Sequence, residues 1–443
     1  MKSGPKTVAV IGAGAAGLSA AWRLLAAGCT VTLYERRSEA GGRLRTDELE
    51  GVRFDAGVQL FGSNYTSWFE LARAAGAGDQ VVRSPGRDAV WRRGRANPLT
   101  YGSVASMITS NALPTTLKLK LAGKYLPFLT RHAMRLDLHE LVKTGGVELD
   151  TESIAAWGER ELGHDFVDLL AYPLLGAYYG SAPEETSAAV YHALARVGLD
   201  VAVYAARDGM GRLAAAVAAG VRERGAILRY DTRIERLNWS GYGITLEAGR
   251  GAERFDAVII AVPAVEAQRL LAESAVAPWL TGVRATPTCT LALVLKESVP
   301  VDYFGLSIPR GDERGPVVAI CMQERKVRGL VPPGKSALVV IPAPEQATVL
   351  SALEPPALLE RCLPMVERVI PGVRSLVVRA RMTAFPEGYT IFYPGYVKHL
   401  RSFKPEVVPA RCALAGDYLV APTVEGAVRS GAAAANRVLA SVG

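Results

Sequence analysis

An α/β fold with a parallel sheet is predicted by three observations. A β-branched run ends in a glycine-rich turn that opens an alanine-rich helix, an acidic residue closes the next apolar strand, and another near-continuous apolar run lies some 220 residues downstream of that. Strands covered on both faces by helices read as unbroken apolar runs rather than alternating ones. At 443 residues and 49% hydrophobic, the chain is long enough for two domain-sized cores.

The first element is the strand Thr7-Val8-Ala9-Val10-Ile11, followed at once by Gly12-Ala13-Gly14-Ala15-Ala16-Gly17 and the apolar helix Leu18 to Ala27. In this order Gly12 permits a tight turn, and Gly14 removes the Cβ that would block a pyrophosphate. Gly17 lets the helix pack on the strand, and the free N–H groups of the turn and of Ala15 and Ala16 face the anion. The second strand, Thr30 to Tyr34, ends at Glu35, 18 positions after Gly17. That spacing suits an acid that accepts both ribose hydroxyls of an adenosine and disfavours a 2′-phosphate. The unit reads as a Rossmann-like dinucleotide site.

The chain continues Glu35-Arg36-Arg37-Ser38-Glu39-Ala40-Gly41-Gly42-Arg43-Leu44-Arg45-Thr46. This stretch resembles the GGR signature of the flavin amine oxidase, protoporphyrinogen oxidase and carotenoid desaturase superfamily. The resemblance implies FAD, held in a GR2-type Rossmann-like domain, with Gly41, Gly42 and Arg43 along its diphosphate. A planar guanidinium suits that task better than an ammonium. Phe54-Asp55-Ala56-Gly57-Val58-Gln59 also matches, and implies that Gly57, Val58 and Gln59 pass close to the isoalloxazine.

The pattern returns at Asp208-Gly209-Met210-Gly211-Arg212-Leu213, which opens a helix ending near Arg224-Gly225. Ala226 to Leu237 reads as the following strand and turn, and the match puts the Arg233-Ile234 backbone on the adenine side. Phe255 to Pro263 is the downstream apolar run, a buried parallel strand that brings Val262 to the cofactor. The last match is Leu414-Ala415-Gly416-Asp417-Tyr418, then Pro422-Thr423-Val424-Glu425-Gly426-Ala427-Val428-Arg429-Ser430-Gly431, leading into the helix Ala432 to Leu439. By resemblance to the family's closing GD…EGAxxSG segment, Gly416 and Asp417 sit near the ribityl and phosphate. Glu425, Gly426 and Ala427 then open a helix whose positive end stabilises charge on a reduced flavin.

Residues 92–204 and 276–384 lack these motifs. By elimination and resemblance they form an α+β substrate domain, interleaved with an FAD domain of residues 1–91, 205–275 and 385–443. Leu169 to Ser187 resembles the matching stretch of protoporphyrinogen oxidase-like proteins, although Tyr172, Tyr178 and Tyr179 also read as packed residues at helical spacing. Leu113 to Leu136 mixes Lys118, Lys120, Lys124, Arg131 and Arg135 with leucines, Tyr125 and Phe128. It reads either as a solvated helical face or as a peripheral contact with an anionic membrane. Lys296 aligns loosely with the lysine that holds a water at the flavin in amine oxidases. Phe385 to Tyr396 is expected to wall the flavin, with Tyr389, Phe392 and Tyr393 as candidates. Gly388 stands where monoamine oxidases carry the cysteine that binds FAD, so non-covalent FAD is expected, and Thr423 stands where amine oxidases place an aromatic of the substrate cage.

Five cysteines without metal-ligand spacing and five histidines without an HxxxH pattern lead to the expectation of reduced thiols and no metal. No apolar run is long enough to span a bilayer, and the N-terminus carries no signal-peptide pattern, so a cytoplasmic protein is expected. The net charge of +8 has no nucleic-acid motif behind it. The expected activity is that of an FAD-dependent oxidase or desaturase that removes hydride from a large hydrophobic substrate such as a porphyrinogen or carotenoid precursor. Oxygen or another acceptor would take the electrons. An amine or amino-acid oxidase is the alternative on the same fold. A GDP-dissociation-inhibitor-like protein without FAD is the alternative of another class, opposed by the intact Gly12, Gly14, Gly17 and Glu35.

Overall fold

The computed structural model describes residues 5–199, 201–241, 243–249, 251–311 and 315–442. Residues 1–4, at the expected N-terminal entry to the first strand, lie outside the described residues. Five parallel strands form the first sheet, in the order Ile227–Arg229, Thr30–Tyr34, Thr7–Ile11, Ala257–Ile260 and Cys412–Leu414. Val10 sits at its centre, in register with Leu33 on one side and Ile259 on the other. The fold is α/β, as the three sequence observations predict.

The downstream apolar run differs from its reading in one respect. Phe255 closes an antiparallel strand, Gly251–Phe255, of a three-stranded meander, and the parallel strand begins only at Ala257. The break falls at Asp256, whose N–H donates to the Thr7 carbonyl (2.9 Å) and whose carboxylate accepts from the Thr7 N–H (2.8 Å). Asp256 is thereby committed to the edge of the first strand and leaves the meander. The closing helix runs unbroken from Val424 to Val442, starting earlier than Ala432.

Helices Ala15–Ala26 and Val424–Val442 cross at small residues. A Cβ on Gly431 would come within 2.1 Å of the Ala16 carbonyl, and the Ser19 hydroxyl donates to the Val428 carbonyl at 2.8 Å. A Cβ on Gly17 would meet the Gly12 carbonyl oxygen at 1.8 Å, so the helix lies on the strand as closely as backbone allows.

A second, seven-stranded sheet has the order Val377–Ile391, Arg284–Leu295, Ser336–Pro342, Val317–Met322, Gly305–Ser307, Asp88–Arg92 and Arg95–Pro98. Only the Gly305–Ser307 and Asp88–Arg92 pairing is parallel. Helix Pro355–Val369 covers this sheet through Leu358, Cys362, Leu363 and Val366, all buried. The fifteen-residue strand Val377–Ile391 stays paired with Arg284–Leu295 along its length, and its residues 384–390 reach the cavity at the C-terminal edge of the parallel sheet. Helices between Val104 and Gly198 close the remaining side. Among the described residues no helix is long and apolar enough to cross a membrane.

Because a Cβ at position 17 meets backbone rather than a movable side chain, Gly17→Ala is expected to lower the free energy of urea unfolding by about 3 kcal/mol, the upper end of overpacking costs. An unchanged urea midpoint would show that the helix moves off the strand freely.

Candidate active site

A cavity of 510 Å³ runs along the C-terminal edge of the parallel sheet, where ligands of open α/β sheets bind. Its floor is the first turn. Gly12 adopts φ +101°, and a Cβ there would meet the Ala261 carbonyl oxygen at 2.4 Å, while the space beside Gly14 is open. An isolated parallel bridge joins Gly14 to Gly41, and Gly41 and Gly42 both have positive φ, so the two glycine turns lie side by side. Gly12, Gly14, Ala15, Ala16, Gly41, Gly42 and Arg43 all line the cavity.

At one end stands Glu35, 7% exposed. Its Oε2 accepts from the Ala13 N–H (2.9 Å) and its Oε1 from the Arg37 N–H (3.0 Å), which fixes the carboxylate and leaves further lone pairs for a ligand hydroxyl. Arg36, Ile234 and Val262 line the same end. At the other end Gly57, Val58 and Gln59 lie against the Arg43 backbone, where a Cβ on Gly57 would come within 2.0 Å of the Arg43 carbonyl oxygen.

Arg43 and Asp417 form a bidentate pair, Nη2 to Oδ1 at 2.8 Å and Nη1 to Oδ2 at 3.0 Å, and Arg43 Nη1 also donates to the Gly388 carbonyl at 3.1 Å. The guanidinium thus spends three donor bonds on Asp417 and Gly388. Asp417 also accepts from the Thr390 hydroxyl. Gly416, Asp417 and Ala427 line the cavity, with Thr423 and Tyr389. Burial pushes the Tyr389 phenol up to about 12, and its ring packs on Gly180, where a Cβ would meet Cδ2 at 2.0 Å.

Several expected residues stand elsewhere. Gly17 is the packing contact described above. Glu425 is fully buried, and its carboxylate accepts from the Ser67 and Trp68 N–H groups at the start of helix Thr66–Ala74 and from Arg429. It caps a neighbouring helix instead of facing the cavity. Gly426 donates its N–H to the Thr423 hydroxyl (2.9 Å), which identifies Thr423 as the N-cap of the closing helix. Lys296 is exposed just beyond strand Arg284–Leu295. Thr290 of that strand lines the cavity, and six residues of strand place Lys296 about 20 Å further along. Phe392 is core, and Tyr393 is committed to the Gly282 carbonyl and to stacking with Arg284, so neither walls the cavity. Of the three tyrosines at helical spacing, Tyr172 is buried and bonded to Glu345, whereas Tyr178 and Tyr179 line the cavity.

Sequence reasoning missed a buried ion pair behind the Gly57–Gln59 wall. Lys326 and Asp55 are both fully buried and bonded to each other. Asp55 also accepts from the Met210 N–H (2.7 Å), and its own N–H donates to Gln323 Oε1. Gln59 accepts from Gln323 (2.9 Å) and donates to the Asp55 carbonyl (2.6 Å). The pair thereby orients a wall residue of the cavity and anchors helix Met210–Glu223. Lys326 sits in Gln323-Glu324-Arg325-Lys326, which looks like a solvated charged turn; only the tertiary fold reveals its burial.

A parallel sheet with adjoining glycine turns, an acid at one end and a helix N-terminus at the other defines a dinucleotide-binding site. The chain belongs to the flavin containing amine oxidoreductase family, whose profile matches residues 15–439. Mitochondrial protoporphyrinogen oxidase of Nicotiana tabacum is 29% identical over 187 residues, 42% of this chain and 35% of that one. Phytoene dehydrogenase of Streptomyces griseus is 30% identical over 260 residues, 54% of this chain and 50% of that one. The chain thus spans half or less of the length of these curated relatives. The structure of cyclohexylamine oxidase from Brevibacterium oxydans superposes with a TM-score of 0.76 at 18% identity, covering 98% of both chains.

Removing one partner of a buried ion pair strands the other charge at a cost of about 3–5 kcal/mol. Lys326→Met is expected to lose that much unfolding free energy in urea, and the double variant Lys326→Met/Asp55→Asn to recover most of it. A single variant as stable as the wild type would mean that Asp55 does not need Lys326.

Proposed function

We propose that the protein oxidises a large hydrophobic small molecule, of the porphyrinogen or isoprenoid kind, by removal of hydride. The observation that carries this reading is a second, largely apolar cavity of 290 Å³ that shares Leu60, Tyr65, Tyr178, Tyr179 and Thr423 with the first. FAD fits the first cavity in chemistry. We place its adenosine end against Glu35, Arg36, Ile234 and Val262, and its diphosphate along the Gly12–Ala16 and Gly41–Arg43 turns. Its ring falls beside Gly57, Val58, Gln59, Gly416, Asp417 and Ala427. When bound, the flavin accepts hydride and passes electrons to oxygen or another acceptor. A Cβ on Gly388 would meet Thr288 Cγ2 at 2.4 Å, which leaves no room for a cysteine and supports non-covalent attachment. The protein's own contribution is to bury the reacting bond beside Tyr179 and Tyr389, away from water, and to aim the N-terminus of helix Val424–Val442 at the charge that develops.

An amine or amino-acid oxidase is the second reading, favoured by the same tyrosines, which offer an aromatic wall to a small cationic substrate. Thr423 serves as a helix cap, which opposes it.

The inner cavity is lined at its outer end by Val104, Met107, Ile108, Lys118 and Leu126. Around it Ile108 and Leu119 are 63% and 68% exposed and Met134 is 87% exposed, amid Lys120, Lys124, Arg131 and Arg135. We propose that this face rests on an anionic membrane and that substrate enters from it, since apolar burial and lysine attraction to acidic lipid add.

Three measurements test these readings. The purified protein is expected to show flavin absorbance that bleaches anaerobically with a tetrapyrrole or carotenoid precursor and not with an amine panel; bleaching by amines alone would select the second reading. Glu35→Ala is expected to weaken FAD binding at least tenfold, measured by fluorescence titration of the apoprotein. Co-sedimentation with phosphatidylserine-containing vesicles is expected to fall at least tenfold in Ile108→Asp/Leu119→Asp, with flavin content unchanged; equal sedimentation would remove the membrane contact.

A further inference from the structure

The inner cavity holds one carboxylate. Asp88, at the start of strand Asp88–Arg92, lines it together with Tyr101 and Tyr178. Asp88 Oδ2 accepts from the Tyr178 hydroxyl at 3.3 Å. Its Oδ1 is buried against the Gly305 backbone and the Tyr101 hydroxyl is buried beside Ser307, so neither meets a charged side chain among the described residues. Tyr101 and Tyr178 meet edge to face with centroids 6.5 Å apart, so the three groups form a single polar spot. Apart from Lys118 the other lining side chains are uncharged, and Lys118 is committed to the Ile108 carbonyl at 2.7 Å. No lysine, arginine or histidine pairs with Asp88 among the described residues.

A carboxylate facing an apolar space without a counter-charge is costly to ionise. Burial pushes the Asp88 carboxyl up to about 7, although Tyr178 and the nearby Gly305 N–H pull it down. The geometry is completed by a ligand group that donates a hydrogen bond to Asp88, best if that group carries positive charge. A ligand carboxylate in the same place would make ionisation of Asp88 costlier still and would find a tyrosine pair already partly spent.

We infer that the inner cavity binds the polar end of an apolar substrate through Asp88, Tyr178 and Tyr101, and that this end is an amine or hydroxyl rather than a carboxylate. The inference rests on the reading of the two joined cavities as cofactor and substrate space, and it narrows the substrate class. An isoprenoid-like body with a donor end fits, whereas a porphyrinogen bearing several carboxylates does not. Asp88 acts here as a binding residue, and the reacting bond lies at the other end, near Tyr179 and Tyr389.

The test uses octylamine, 1-octanol and octanoate below micelle formation, titrated by calorimetry into the protein as purified, with flavin content measured separately. The expected order is octylamine tightest, octanol next, and octanoate at least tenfold weaker than octylamine. Asp88→Asn is expected to weaken octylamine at least tenfold while octanol binding persists, which shows an intact cavity. Octanoate binding as tightly as octylamine to the wild type overturns the inference, as does an unchanged order in Asp88→Asn. If that variant fails to fold, the wild-type order alone decides. Because the heats do not depend on turnover, a protein that orders the probes as expected but lacks flavin would overturn the oxidoreductase reading and leave Asp88 in place. A flavin-bearing protein without that order would overturn only the inference.

Discussion

The bidentate contact between Arg43 and Asp417 is the constraint on which the site depends, because it joins segments 374 residues apart in the chain. Arg43 follows the second glycine turn, which lies beside the central strand's own turn, and Asp417 follows the edge strand Cys412–Leu414, so the pair locks the sheet's centre to its edge. The same guanidinium reaches the Gly388 carbonyl, which ties in the long strand arriving from the other sheet. Three pieces of backbone therefore meet at one planar cation, and a fork of fixed donors suits this better than a point charge. The cavity exists between those pieces because they are held apart at defined distances rather than collapsed on one another.

The parts of this arrangement that depend on local chemistry were legible in the sequence. Gly12, Gly41 and Gly42 take positive φ, Gly14 leaves open space beside the turn, and Glu35 accepts from the backbone of that turn, and such local needs restrict residue choice at fixed spacing. The parts that depend on side chains meeting from distant elements were not. Glu425 reads as a flavin-helix acid, yet its carboxylate finds two free N–H groups at the start of helix Thr66–Ala74, a partner no local pattern reveals. Lys296 follows an apolar strand as expected, but strand geometry carries it past the cavity to the exposed end. Lys326, in a run of polar and charged residues, is the lysine that the fold buries instead.

Thr423 shows how one residue can serve two ends. As N-cap it satisfies the Gly426 N–H, and so sets where the closing helix begins and where its dipole points. Its position on the walls of both cavities puts the same hydroxyl at their junction. An aromatic there would surrender the cap and narrow the passage together. The threonine is consistent with a protein that keeps the passage open to a long substrate, and less so with one that closes an aromatic cage around a small amine.

Charge in the two cavities is divided in the same sense. In the first, the charged groups on the wall are tied down: Arg43 to Asp417, Arg36 to Glu387 at 3.5 Å, Arg233 to Glu266 at 3.3 Å. Such pairs position a cofactor without leaving a strong net field along it. In the second, Asp88 is the one carboxylate on the lining and is bonded to the Tyr178 hydroxyl with no cation paired to it among the described residues. A single unbalanced group in an otherwise apolar space contributes little to holding the fold and much to choosing which end of a ligand enters first, because a mismatched end leaves it both desolvated and unpaired. Orientation of the substrate would then be set by the end of the molecule that Asp88 and Tyr178 hold, while Tyr179 at the junction need only accommodate its body.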